Sequence, residues 1–246
     1  MPKNIVIKVL IVAAIVAAAA YFAAVVFVFD KKPNATVCRK INVEIANGDA
    51  IGFINRQTVE DSLRKNKLYP AGKFVSDIKT NNVESYLRKN KLIKTVECFF
   101  TASGDMTVKI VQRTPKFRVM GGENYYVDTE RKTMPVSTDY SAYVPVVSGN
   151  LTAKFATEKL YDFIDYIQKD KFWNAQIDQI YVVDNQDVEL VPRVGDAIIK
   201  IGDLKNFEKK LAKLNKLYQS AFNTLGWNLY STIDLRFDGQ IVCKKR

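Results

Sequence analysis

The residues best suited to catalysis are a serine and a lysine three positions apart, Ser76 and Lys79. This spacing fits the Ser-x-x-Lys of penicillin-binding enzymes, in which the serine is the nucleophile. Those enzymes also carry a Lys-Thr-Gly element, and none follows here. The pair also falls between two predicted helices of a small unit with little room for a pocket. The sequence therefore predicts that Ser76 has no catalytic role.

Acidic residues cluster at Asp184, Asp187 and Glu189. Paired carboxylates can perform general acid and base catalysis or bind calcium, but the spacing and the absence of a central glycine fit neither arrangement. The chain has no histidine, which removes the commonest general base and metal ligand. We predict a solvated turn here, and no catalytic residue, cofactor or metal site in the chain.

Three cysteines, Cys38, Cys98 and Cys243, are widely spaced and odd in number. This pattern indicates neither a disulfide framework nor a zinc site. We expect free thiols, with Cys98 packed as a small apolar residue in a strand.

Basic residues exceed acidic ones by 37 to 26, giving a formal net charge of +11 that is spread along the chain. A dispersed positive charge is typical of a surface that faces anionic lipid or a cell-wall polymer. It does not indicate a nucleic-acid partner.

Residues 9–29 are apolar and uncharged. As a helix they would extend about 30 Å, the thickness of the hydrocarbon core of a bilayer. The sequence predicts one transmembrane helix, with a short tail inside and the bulk of the chain outside the cytoplasm. A cleaved signal peptide is the alternative, because the alanines at 17–20 resemble a cleavage site.

The next part of the chain predicts a strand, two helices and a hairpin. Alternation over residues 39–46 indicates a strand with one buried face, and residues 93–101 and 106–110 indicate the hairpin. We expect Thr58 and Asn81 to cap the helices. Both helices end in Leu-Arg-Lys-Asn-Lys-Leu, at 63–68 and 87–92, where we expect each asparagine to take the left-handed conformation. The order β-α-α-β-β is that of a two-layer α+β unit.

Beyond Arg113 and Pro115, short aromatic strands alternate with two long amphipathic helices. We predict a β-sheet domain with helices packed on it. Since a proline stiffens the chain and a guanidinium can bond several carbonyls at once, Arg113 and Pro115 are predicted to form an inter-domain hinge. A partner contact is the alternative role for Arg113.

The last strands are predicted to bind a partner. Alternation over residues 232–237 places Ile233, Leu235 and Phe237 in the core, and a turn at Asp238 and Gly239 precedes an outer strand. An exposed edge strand can pair with an incoming extended segment. The predicted partner-binding residues are Asp234, Arg236, Phe237, Gln240, Ile241, Val242 and Cys243. Alternatively, the edge only completes the sheet, guarded by Lys244, Lys245 and Arg246.

Several short motifs resemble those of the bacterial cell-division family FtsQ/DivIB. They are Arg-x-Pro at 113–115, Tyr-Val-Asp at 126–128, Val-Pro followed by Gly at 144–149, and Ile-Asp-Leu-Arg-Phe at 233–237. The resemblance implies a cytoplasmic tail (1–8), a transmembrane helix (9–29), a stalk (30–37), a POTRA-like domain (38–113) and a β domain (114–246). The chain departs from the family at Arg131, where glycine is usual, and it ends soon after Cys243.

The resemblance also implies a function. Members are non-catalytic scaffolds of the division complex, anchored in the bacterial inner membrane at the septum. FtsB-like and FtsL-like single-span proteins are the implied partners, with FtsW and FtsI acting downstream in septal wall synthesis. A POTRA-bearing membrane subunit of protein translocation is the alternative. A cell-wall hydrolase or transferase is disfavoured because no catalytic group was identified.

Overall fold

The computed structural model describes residues 3–29, 36–184, 187–222 and 226–246. The N-terminal helix α1 spans Lys3–Phe29, and side chains are described for its residues 12–25. Apolar side chains there are exposed, among them Ile15, Tyr21 and Phe22. Within the described part of the chain, no helix was found to be long and apolar enough for a membrane crossing. A transmembrane role for residues 9–29 stays a prediction.

The first unit, residues 36–112, has the predicted order of elements. Two helices lie on one face of a three-stranded sheet in the order β1-β3-β2, in which β3 is parallel to β1 and antiparallel to β2. The elements are β1 (Ile41–Ile45), α2 (Arg56–Lys65), a single 3-10 turn (Val75–Asp77), α3 (Thr80–Leu87), β2 (Ile93–Phe100) and β3 (Met106–Gln112). The α+β class and the POTRA-like arrangement are confirmed.

The predicted helix ends were wrong in detail. Asn55, not Thr58, is the N-cap of α2, and Thr58 completes the capping box by binding back to Asn55. Helix α3 begins at Thr80, so Asn81 lies inside it. After α2 the left-handed residue is Lys67, with φ of 60°.

The second unit, residues 115–246, is built on a nine-stranded sheet in the order β12-β11-β10-β9-β8-β7-β4-β5-β6. Strands β4, β7 and β8 run parallel, as do β10 and β11. The strands are β4 (Pro115–Gly121), β5 (Tyr125–Asp128), β6 (Thr133–Pro135), β7 (Val146–Gly149), β8 (Ile177–Val182), β9 (Val188–Pro192), β10 (Ile198–Gly202), β11 (Tyr230–Asp234) and β12 (Val242–Lys245).

Helices cover one face of this sheet. Phe163 and Leu211 from two of them pack with Val147 and Leu190 of the strands in one core. The short helix α6 was not predicted. The helical segments are α4 (Ala153–Phe155), a π-helical turn (Ala156–Leu160), α5 (Tyr161–Lys169), α6 (Lys171–Gln176), α7 (Phe207–Leu217) and a second π-helical turn (Tyr218–Phe222).

The two units share apolar contacts. Tyr126 and Met134 of the second unit belong to the core of the first, where the Tyr126 ring meets Phe53 edge-on at 5.4 Å between centroids. Tyr140 packs on the same Phe53 ring at 4.9 Å. The buried rings of Phe53 and Tyr126, with the partly buried ring of Tyr140 packed on Phe53, resist separation of the two units.

Candidate partner-binding edge

Strand β12 is the last strand of the sheet and pairs antiparallel with β11, Asp234 lying opposite Val242 and Ile233 opposite Cys243. A terminal strand has a neighbour on one side only. Among the described strands none lies on the outer side of β12, so its outward N–H and C=O groups are directed away from the sheet.

The inward side chains hold this edge to the core. Ile233 and Leu235 are fully buried, as predicted, and Ile241 and Cys243 pack against the same cluster. Burial raises the pKa of the Cys243 thiol. Phe237 was predicted to point into the core, but 46% of it is exposed, because β11 ends at Asp234 and the strand alternation does not continue to residue 237.

Asp234 and Arg236 form an ion pair within the edge. The Arg236 guanidinium donates from Nε and Nη2 to both carboxylate oxygens of Asp234, at 2.9 and 2.6 Å. The same group lies 3.4 Å from Asp187. Hydrogen bonding from Arg236 holds the pKa of Asp234 below its usual value, although burial opposes this, and Asp234 in turn raises the pKa of Arg236.

The glycine at 202 makes room for this arginine. Gly202, at the end of β10, has φ of 76°, and a Cβ there would lie 2.6 Å from Cγ of Arg236. The side chain of Arg236 therefore passes directly over the backbone of the neighbouring strand. Asp234 and Arg236 serve first to hold the end of β11, which limits their availability to a partner.

A lysine on α7 supports the loop between the last two strands. Lys213 Nζ donates to the carbonyls of Phe237 and Gln240, at 3.0 and 3.5 Å. Gly239 in this loop has φ of 75°, which agrees with the predicted turn. These hydrogen bonds involve only the backbone of the loop, and the Phe237 ring and the Gln240 side chain lie on the surface.

The exposed side chains of β12 are one valine and two lysines. Val242 is 43% exposed, and Lys244 and Lys245 are exposed. Arg246 donates to Asp196 at 2.8 Å. The edge thus combines a strand with no described neighbour on its outer side, one apolar side chain and two lysines, an arrangement suited to an extended acidic segment.

Arg113 and Pro115 lie at the junction of the two units. Arg113 Nη1 donates to Oδ2 of Asp128 at 2.7 Å, and only 2% of that carboxylate side chain is exposed. Lys94 and Arg113 both reach Glu130, at 2.7 and 3.4 Å. Pro115 begins β4 directly after the first unit. The observed partners of Arg113 are carboxylates rather than the carbonyls expected from the sequence, and the hinge role stays a prediction.

The departure from the family at Arg131 has a structural counterpart. Arg131 takes φ of 63°, the conformation that glycine adopts most easily. Its guanidinium binds Asp162 and lies 4.2 Å from the centroid of the Tyr161 ring. These contacts with α5 offset the backbone strain and fix the β5–β6 turn against the helix.

The other candidate groups do not assemble into a reactive site. Ser76 donates to Asp77 at 3.0 Å rather than engaging Lys79. Asp187 pairs with Arg236, and Glu189 lies 3.4 Å from Lys200. Among the residues that the structure describes, no group of histidine, cysteine or carboxylate side chains has the arrangement of a metal site.

Sequence reasoning missed two residues of the edge, Asp187 and Lys213. Asp187 was assigned to a solvated turn, and Lys213 was not singled out at all. Both contact residues 24 or more positions away, Asp187 reaching Arg236 and Lys213 reaching Phe237. The strongest local signal was an acidic residue, Asp187, next to a predicted strand. Such a signal does not show which basic residue the carboxylate contacts.

Two family models match the chain. Residues 114–244 match the one described as FtsQ/DivIB, C-terminal related, and residues 36–111 match the one described as POTRA-like domain. The first match covers more than half of the chain and extends to Lys244 in β12. No curated protein matches the sequence.

Proposed function

Because the chain belongs to the FtsQ/DivIB family of cell-division proteins, as its motifs predicted, we propose that it is a membrane-anchored scaffold of the division complex. Family membership indicates a role in cell division. The finer proposal is that the two extracytoplasmic units bind FtsB-like and FtsL-like proteins and, through them, help coordinate FtsW and FtsI in septal peptidoglycan synthesis.

We propose that residues 9–29 anchor the chain in the bacterial inner membrane, with the N-terminus inside. The exposed apolar side chains of α1 support this, since they would be poorly solvated in water. The proposed organisation is a tail (1–8), the span (9–29), a stalk (30–37), a POTRA-like domain (38–113) and a β domain (114–246).

The outer side of β12 is the proposed partner-binding site. The observation that supports this most is that β12 ends the sheet with no described strand beside it. Backbone groups would pair with a partner strand, Val242 and Phe237 would supply apolar contacts, and Lys244 and Lys245 would attract acidic side chains. Gln240, Ile241 and Cys243 would position the strand. Asp234 and Arg236 would keep β11 in place beneath it.

The proposed role of Arg113 and Pro115 is to set the angle between the two units. The short bond to the buried carboxylate of Asp128 supports this role. A loss of Arg113 should widen the distribution of inter-unit distances, as measured by paired spin labels. An unchanged distribution would contradict the proposal.

The FtsQ/DivIB family is a scaffold family without catalytic activity, and we propose the same for this chain. The scattered charge supports a partner in the membrane or the cell wall rather than a nucleic acid. No cofactor enters the proposal.

The decisive experiment is a titration of the full chain in detergent with an FtsB-like partner from the same cell. Deleting residues 241–246 should abolish binding because it removes β12. A second variant, Phe237→Ala, should weaken binding by roughly 2 kcal/mol if the ring is an anchor.

Two controls make the titration interpretable. The deletion also removes Ile241 and Cys243 from the core surface, so its unfolding curve must be measured alongside. Tyr181→Ala alters an aromatic side chain of similar exposure on β8, away from the edge, and should leave binding unchanged. Unchanged affinity in both the deletion and Phe237→Ala would exclude β12 as the site.

A further inference from the structure

The first unit begins with an exposed apolar pair. Val37 and Phe74 form an isolated antiparallel bridge and are 38% and 48% exposed. Residues paired in this way project their side chains from the same face of the backbone. An exposed phenylalanine beside an exposed valine is unusual for a surface that faces only water.

The backbone around this pair is well ordered by hydrogen bonds. Thr36 O accepts from Val75 N at 2.9 Å, and Cys38 N donates to Lys73 O at the same distance. Gly72 N donates to Cys38 O at 2.8 Å. The entry strand and the loop before α3 therefore form one short ribbon, and the two apolar side chains are held on it.

Basic side chains surround the ribbon. Arg39, Lys40, Lys67 and Lys73 are all exposed. Lys73 Nζ donates to the carbonyl of Lys67 at 3.0 Å, which brings the end of α2 to the ribbon. The guanidinium of Arg39 lies 3.9 Å from Asp105 and is largely exposed, so this contact neutralises little of the patch.

The length of the chain restricts how far this patch can lie from the end of α1. Six residues, 30–35, separate Phe29 from Thr36. Even when fully extended, the seven steps from Phe29 to Thr36 reach only about 25 Å. If α1 crosses the bilayer, Val37 and Phe74 are close enough to contact the lipid headgroups.

We propose that this surface, made of Val37, Phe74, Lys67, Lys73 and Arg39, docks on the anionic face of the membrane. Phe74 and Val37 would enter the interfacial region while the basic groups neutralise lipid phosphates. The contact would fix the tilt of the first unit above the bilayer, and hence the direction in which β12 faces. This inference rests on the proposed membrane anchor.

The test uses the full chain in lipid nanodiscs that contain brominated phosphatidylcholine, with or without phosphatidylglycerol. A Phe74→Trp variant adds a fluorophore that bromine quenches on contact, over the background of Trp173 and Trp227. We expect quenching of the added signal in phosphatidylglycerol discs, and less at high salt. Phe237→Trp, of similar exposure on the other unit, is the matched control and should not be quenched.

Charge reversal completes the test. Lys67→Glu with Lys73→Glu should remove the quenching, because each basic group near an anionic surface changes binding by about fivefold.

If the emission added by Phe74→Trp is not quenched in phosphatidylglycerol discs, the inference is overturned while the anchor stays intact. A chain that is extracted from membranes by carbonate would overturn the anchor and this inference with it. If the emission of the Phe74→Trp variant shifts with soluble teichoic acid but does not change in the discs, the patch binds a wall polymer instead of the membrane.

Discussion

One outer strand of each sheet, β2 in the first unit and β12 in the second, has a neighbouring strand on one side only, and the two units treat the other side differently. In the first unit, Glu84 and Arg88 of α3 reach over β2: Glu84 Oε1 accepts from Cys98 N at 2.8 Å, and Arg88 Nη2 donates to Val96 O at 3.3 Å. In the second unit the outer side of β12 meets no described strand. One edge is closed by side chains and the other is left open.

The difference indicates where strand addition can occur. At β2 the N–H of Cys98 and the C=O of Val96 are already bonded, so a partner strand would first have to displace the Glu84–Arg88 pair, in which Arg88 Nη2 lies 2.8 Å from Glu84 Oε2. At β12 a partner would have no described strand to displace. Of these two outer strands, β12 is therefore the one that an added strand could reach more easily.

The largest expected effect comes from opening the closed edge with Glu84→Ala. This change leaves the N–H of the buried Cys98 without its acceptor and Arg88 without its carboxylate partner, at a cost of about 2 kcal/mol. The exposed edge should also promote self-association. Urea unfolding of the full chain in detergent and sedimentation velocity measure the two effects.

The matched control is Glu97→Ala, which removes an exposed carboxylate from β2 itself. Its cost should be below about 0.5 kcal/mol. If the two variants are equally stable and both monomeric, Glu84 does not close the edge.

A smaller effect is expected at the base of the open edge, from Arg236→Ala. Arg236 depresses the pKa of Asp234, so the pair stabilises the fold above the unfolded pKa of aspartate and this contribution is lost as the pH falls through the depressed value. Since Arg236 is partly exposed, we expect a loss of about 1 kcal/mol near neutral pH. A carbon-13 titration of the Asp234 carboxyl should show its pKa rise in the variant.

Arg193→Ala is the comparison for this prediction, because Arg193 pairs with Asp178 at 3.3 Å with both side chains well exposed. It should cost less than about 0.5 kcal/mol. Arg236→Lys keeps the charge but loses the two-pronged donor, and an intermediate pKa for Asp234 would show that geometry contributes as well as charge.

The sequence predicted the secondary-structure elements better than it predicted which residues contact each other. Alternation was sufficient for β1 and β3, since a slip of one residue would have exposed Val43 and Val108. The N-cap of α2 was misplaced because Asn55 and Thr58 are both capping residues and bind each other reciprocally. Phe237 was misplaced because a strand pattern does not reveal where pairing stops.

The contacts that shape the site were beyond a local reading of the sequence. Arg113 meets Asp128 only because the β4–β5 hairpin folds back, and Arg236 meets Asp187 across 49 positions of the chain. Such pairs depend on strand order, and the parallel pairing of β10 with β11 has no signature in either segment. The glycine at 202 could be interpreted only once Arg236 was seen to lie over it.

The smallest effect on stability, and the sharpest on binding, is expected from Lys244→Glu with Lys245→Glu. Both side chains are exposed on β12, so unfolding should change by less than about 0.5 kcal/mol. An acidic partner segment would associate more slowly, because charges at the rim of an interface act mainly on the association rate. Stopped-flow mixing with the FtsB-like partner at low and high salt measures this association rate directly.

The matched control is Lys209→Glu with Lys216→Glu, which makes the same change in net charge on α7, where both lysines are exposed. If the two double variants slow association equally, the attraction comes from the overall charge of the protein, whereas a larger effect at β12 that disappears at high salt assigns it to the open edge.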